Sequence, residues 1–121
     1  MSGSGGPRIL LTNSTSGRPI KLVNVANPGD NIHAAIATPG QFDEIHLWAT
    51  NTTAANKTVT VQWGGVTAVN DEFVSALVLL PNTTTKVVDG LILNNAAVKA
   101  YASVTNTVLI TGYAIRLVST G

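Results

Sequence analysis

The sequence predicts an all-β fold, an antiparallel β-sandwich of jelly-roll type with about eight to ten short strands. Three observations predict it. Apolar and polar residues alternate with a period of two over residues 42–49 and 58–63, the pattern of a strand with one buried face. Gly, Pro, Asn or Asp punctuate the apolar runs at short spacings, at Asn27-Pro28-Gly29-Asp30, Thr38-Pro39-Gly40, Gly64-Gly65, Asn70-Asp71, Asp89-Gly90 and Asn94-Asn95. No stretch carries a convincing amphipathic helical period.

Residues 1–7, MSGSGGP, have the composition of a flexible Gly/Ser-rich arm, and residues 8–121 are expected to form one β-sandwich domain. The run 8–11 is a short first strand; Ile20, Leu22 and Val25 open a second after a polar loop. Asn27-Pro28-Gly29-Asp30 puts Pro and Gly at the central positions of a type II turn, and Thr38-Pro39-Gly40 repeats that logic after a third strand at 31–37. Residues 42–65 then read as a β-hairpin. In its first arm Asp43, Ile45, Leu47 and Ala49 oppose Phe42, Glu44, His46 and Trp48; in its second Val59, Val61 and Trp63 oppose Thr58, Thr60 and Gln62.

Beyond Gly65, residues 66–69 form a short apolar run. Residues 72–80, EFVSALVLL, are apolar on both faces, with Val74, Ala76, Val78 and Leu80 on one and Phe73, Leu77 and Leu79 on the other. That pattern predicts a strand covered on both sides. Residues 83–88 and 91–93 flank Asp89-Gly90, a tight-turn signal. After 98–103, the last strand spans 107–118, where Leu109, Tyr113, Ile115 and Leu117 share one face and Val108, Ile110, Ala114 and Val118 share the other with Arg116.

At 121 residues the chain is long enough to bury roughly two-thirds of its unfolded surface. It has no cysteine, which excludes disulfides, thiolate metal sites and cysteine nucleophiles. Charged residues make up 11% of the chain against about 25% in an ordinary soluble domain, so its surface is largely neutral. Neutral surfaces repel each other weakly, which favours permanent assembly. With a net charge of +1 and no basic cluster, nucleic-acid binding is not expected. No run approaches the ~20 apolar residues of a membrane span, and the N-terminus lacks the regions of a signal peptide.

Chemical constellations are sparse. Asp43 and Glu44 are adjacent, so in a strand they point to opposite faces and cannot act as an acid–base pair. His33 and His46 lack a third ligand at a matching spacing. The serines occupy no nucleophile motif, and no glycine-rich phosphate loop leads into a helix. The sequence therefore points away from an enzyme and from any cofactor or metal. Four sequons, at Asn13, Asn51, Asn56 and Asn82, fall among Asn and Thr that also suit turns. Trp63 continues an apolar face and reads as core; Trp48 shares its face with Glu44 and His46 and reads as surface or interface.

The segments GDNIHAA (29–35), FDEIHLWATN (42–51), VTVQWGG (59–65), VVDGLILNN (87–95), VKAYAS (98–103) and VLITGYAIRL (108–117) together resemble small virion proteins encoded in the structural gene clusters of tailed bacteriophages. The resemblance implies a capsid-associated, non-enzymatic role, a head decoration protein or the base of a head fibre. It also implies manufacture in the host bacterial cytoplasm, a place on the capsid surface of the virion, and the major capsid protein as partner. A homo-oligomer is expected, a trimer rather than a dimer because three-fold positions abound on icosahedral heads. The candidate interface residues are Trp48, Leu77, Val78, Leu79, Tyr113 and Arg116. The alternative is a carbohydrate-binding adhesion module with Trp48 as a stacking platform.

Overall fold

The computed structural model describes residues 7–67 and 70–118. Among these, every regular element is a strand: β1 (Arg8–Leu10), β2 (Ile20–Lys21), β3 (Asp30–Ala34), β4 (Gln41–Asn51), β5 (Lys57–Trp63), β6 (Glu72–Leu79), β7 (Thr84–Leu93), β8 (Ala97–Ala102) and β9 (Val108–Val118). They form two antiparallel sheets. One runs β1-β9-β4-β7, with β2 pairing the same β9 further along; the other runs β3-β8-β5-β6. The pairs β2·β9, β3·β8, β4·β7 and β5·β6 nest inside one another. A long hairpin folded at the β5–β6 turn and rolled up gives this order, which is the jelly roll expected from the sequence.

The core lies between the sheets and is built by alternation. Ile45, Leu47 and Ala49 of β4, Val59 and Val61 of β5, Val98 and Ala100 of β8, and Val108, Ile110 and Ala114 of β9 are all fully buried. Trp63 packs on the edge of this cluster. The turn at 38–41 forms as expected: Gly40 has φ +83° and the Gln41 amide donates to the Thr38 carbonyl at 3.2 Å.

Four local expectations are corrected. Residues 42–65 are not a hairpin, because β4 and β5 lie in opposite sheets and the chain arches between them; the hairpin partner of β5 is β6. Alternation fixes which residues face inward, and β4 and β5 face each other across the core. Asn51 holds the arch. Buried at its base, its side-chain amide donates to the carbonyls of Ala55 and Leu79, and its oxygen accepts from the amide and hydroxyl of Thr53.

Asp89-Gly90 is not a tight turn but a bulge inside the continuous β7, where Gly90 takes φ +78° and the register against β4 slips between Ile45 and His46. A second slip, between Leu47 and Trp48, lets the adjacent Val87 and Val88 both enter the core. Asn27–Asp30 is not a type II turn. The Asn27–Pro28 bond is cis and Gly29 is outside the left-handed region that turn requires. Gly29 instead lies against the backbone of Ala100, with which a Cβ would collide, and its amide donates to Gln62 Oε1 at 2.8 Å.

Finally, residues 72–80 are not covered on both sides. β6 is the edge strand of its sheet, with Phe73 48%, Leu77 37% and Val78 54% exposed. Ala76, at φ 48°, donates its amide to Thr60 Oγ1, and the register against β5 slips there. This bulge reverses the facing, so Val74 opposes Val61 and joins Leu77 and Leu79 on the core side rather than Val78. Val66 and Thr67 lie outside any strand, and residues 68–69 and the 1–6 portion of the N-terminal arm fall outside the described residues.

At Gly112 of β9 a Cβ would collide with the carbonyl of His46 on β4. Replacing Gly112 by Ala forces these strands apart, and overpacking of this kind costs about 1–3 kcal/mol. Urea unfolding of Gly112→Ala should show that loss with an unchanged denaturant slope.

Candidate functional site

Among the described residues, two surfaces built on strands are apolar beyond what the core uses. The first is the outer face of the β4 sheet. The period of two that sends Asp43, Ile45, Leu47 and Ala49 inward sends Phe42, Glu44, His46 and Trp48 outward. Antiparallel register then sets their neighbours: Leu117 beside Phe42, Ile92 and Ile115 flanking Glu44, Asp89 and Tyr113 flanking His46, Lys86 and Thr111 flanking Trp48. Leu10 and Arg8 of β1 extend the face next to Tyr113 and Ile115.

These side chains order one another. The His46 ring stacks on Tyr113 with centroids 4.9 Å apart, and Trp48 tilts against Tyr113 with centroids 6.1 Å apart. Arg8 sits 4.8 Å over the Tyr113 ring and Lys86 4.8 Å over the Trp48 ring, both within cation–π range. Lys86 also holds Asp89 at 2.7 Å, and its hydrogen bond and charge keep the Asp89 carboxyl below its ordinary pKa. Glu44 Oε2 is 2.7 Å from His46 Nε2, while His46 Nδ1 has no hydrogen-bond partner, its nearest acid being Asp89 Oδ1 at 3.8 Å. Gly90 makes room for this imidazole: a Cβ there would sit 3.1 Å from His46 Cε1.

The second surface is the β6 edge, an apolar ridge where Phe73, Leu77, Val78 and the following Leu80 are exposed, Leu77 from the core side of the strand and Val78 from its outer side. Phe73 leans on Trp63, ring centroids 6.0 Å apart, and with Asn70, Asp71 and Glu72 these two rings line a shallow recess of about 220 Å³. Asp71 is committed to its turn, accepting from the Thr67 amide at 2.9 Å.

Beneath the first surface lies a buried ionic cluster. Asp43 is fully buried; its Oδ1 accepts from Arg116 Nε at 2.8 Å and its Oδ2 from Arg116 Nη2, His33 Nε2 and the Ile36 amide at 3.1, 2.7 and 3.1 Å. The Thr12 amide donates to His33 Nδ1 at 3.1 Å, which assigns the ring proton to Nε2. Both imidazole nitrogens are therefore engaged and neither is free for a reacting group. Burial pushes the Asp43 carboxyl up, but the hydrogen bonds from Arg116, His33 and Ile36 and the guanidinium charge outweigh it and hold the pKa below its ordinary value. Asp43 raises Arg116 in return.

The six interface candidates divide. Trp48 and Tyr113 meet on the outer face of the β4 sheet, and Leu77 and Val78 lie on the β6 ridge. Leu79 does not belong to a surface: it is fully buried, placed in the core by the Ala76 bulge. Arg116 points to the core side of β9 and its guanidinium is taken by Asp43. His33 and His46 do not come together, since His33 is buried on the core side of the β5 sheet and His46 faces outward from the β4 sheet. Among the described residues, no cluster of three or more His, Cys, Asp or Glu is placed to hold a metal ion. The Asn51 sequon is closed, its side-chain nitrogen being tied to Leu79. Sequence reasoning missed Arg8, Lys86 and Ile92, which join the first surface only through strand register.

The acid limb of stability should report on Asp43. Since the folded chain keeps this carboxyl ionised to lower pH than the unfolded chain, its contribution is complete above the unfolded value, near ~3.9, and is lost as pH falls through the folded one. Asp43→Asn takes the carboxylate from the buried His33 and from Arg116, whose side chain is 31% exposed and so partly solvated, and should cost about 1–3 kcal/mol at pH 7. Chemical denaturation between about pH 2 and pH 7 should also show a flatter acid limb in the variant.

No protein-family model, curated protein or solved structure matches this chain.

Proposed function

We propose that the chain is a non-enzymatic structural protein of a tailed-phage virion, a head decoration protein that binds the capsid surface as a homotrimer. The observation that carries this reading is the pair of uncovered apolar surfaces on a chain with 11% charged residues. Fully burying a Phe, Leu or Val side chain is worth about 1.5–3 kcal/mol, so covering the half that is still exposed is worth about half of that. Phe73, Val78, Leu80, Leu10 and Ile92, each about half exposed, therefore favour association. The resemblance of the strand segments to small phage virion proteins supplies the setting. The mechanism is mechanical: a protein that bridges neighbouring capsid subunits adds buried area and raises the cost of separating them.

One observation favours a second reading, a carbohydrate-binding module. The recess lined by Trp63 and Phe73 joins two aromatic rings to the carboxylate of Glu72, a combination suited to a sugar ring. Trp48 suits it less, because a stacked sugar would have to displace Lys86.

Co-sedimentation decides between them. Added to capsids stripped of their decoration protein, the purified chain should pellet in a fixed ratio to the capsid protein and raise the temperature at which the capsids burst. Trp48→Ala should weaken this roughly tenfold or more by loosening the homotrimer that bridges the capsid subunits, about the 1.4 kcal/mol of one lost aromatic contact. Free protein that stays in the supernatant and binds a glycan array selectively would replace the capsid reading with the carbohydrate one.

A further inference from the structure

We infer that copies of this chain associate head to tail, the β6 ridge of one copy seating on the outer face of the β4 sheet of the next. This rests on the homo-oligomer proposed above but not on the capsid.

The two surfaces are inequivalent. The ridge is the edge of one sheet and the face is the outside of the other. A two-fold contact uses the same patch twice and leaves the other exposed, whereas a head-to-tail contact covers both on every subunit of a closed ring. Neither surface suits its own copy. Edge-to-edge pairing of β6 is blocked by its own irregularity: the register slips twice against β5, and Ala76 turns its amide back onto Thr60 Oγ1. Two β4-sheet faces brought together would offer Arg8 and Lys21, which make no ion pair among the described residues, only Glu44 and Asp89, which His46 and Lys86 already engage.

Ridge and face complement each other. The β6 end carries Glu72, likewise without an ion pair among the described residues, as a partner for those cations. The face has the size for a contact: β4, β9 and β7, ten or eleven residues long at ~3.3 Å per residue and ~4.8 Å apart, make a plate of roughly 500 Å², which the short β1 and β2 extend. Its centre is the packed Trp48–Tyr113–His46 group, rings already ordered by their neighbours. Aromatic anchors of that kind carry most of the energy of an interface.

A mixing experiment tests this. Val78→Lys spoils the ridge and leaves the face; Ile92→Lys spoils the face and leaves the ridge. Both positions are 54% exposed, so both variants should fold, as circular dichroism will show. Leu10→Lys, 56% exposed on the same face, replaces Ile92→Lys should that variant unfold. By light scattering at micromolar concentration each variant alone should be monomeric, while their equimolar mixture should form a one-to-one pair, each supplying what the other lost. If Val78→Lys alone keeps the unmodified assembly, the contact is face to face. If the face variant alone keeps it, the contact is ridge to ridge. Either result, a mixture that stays monomeric, or an unmodified chain that is itself monomeric, overturns the inference. Pairing in the mixture by a protein that fails to co-sediment with capsids would retain this contact and discard the capsid.

Discussion

The carboxylate of Asp43 fixes the end of the sandwich at which three strands must agree. It sits on β4, binds Arg116 of β9 in the same sheet, and binds His33 of β3 in the opposite sheet together with the backbone at Ile36. An uncompensated carboxylate in that position would cost several kcal/mol, so the two sheets close only in the register that delivers all of these partners. The register so fixed decides everything outside. With Asp43 inward, Phe42, Glu44, His46 and Trp48 must be outward, and with Arg116 inward, Tyr113, Ile115 and Leu117 must be outward beside them. The buried ionic cluster and the exposed aromatic group are two consequences of one pairing between β4 and β9.

That logic also explains which parts of the fold were legible. Alternation identified the core-facing residues of β4 and β5, because burial acts on each side chain where it stands, but Thr60 and Gln62 on the other face of β5 are buried as well. It could not say that β4 and β5 lie on opposite sheets. Nothing local marks the difference between a hairpin and an arch except Asn51, whose polar side chain is buried at the arch base. The jelly-roll reading survived this error, since strand number and spacing do not depend on who pairs with whom.

The bulges were the harder loss. At Gly90 a positive φ reads in sequence as a turn, and only the unbroken pairing with β4 shows it to be a bulge. At Ala76 no residue type announces it, yet it moves Leu79 inward and changes which β6 residues reach the surface. Arg116 was read as interface for a similar reason. Its acid lies 73 residues away in sequence, and no spacing rule connects them.

Outside the core the described residues present a weakly charged surface with two apolar patches, and the side chains of the β4 face are already ordered by their neighbours. Such ordering lowers the entropy lost on association, which is why an aromatic plate and a short ridge can suffice where area alone would be modest. The central claim, that these surfaces exist to be covered by other copies, is tested most directly by the mass of the unmodified protein at sedimentation equilibrium in the micromolar range. The account predicts a single species three times the 12.5 kDa chain. A species of one chain mass at every concentration would contradict it.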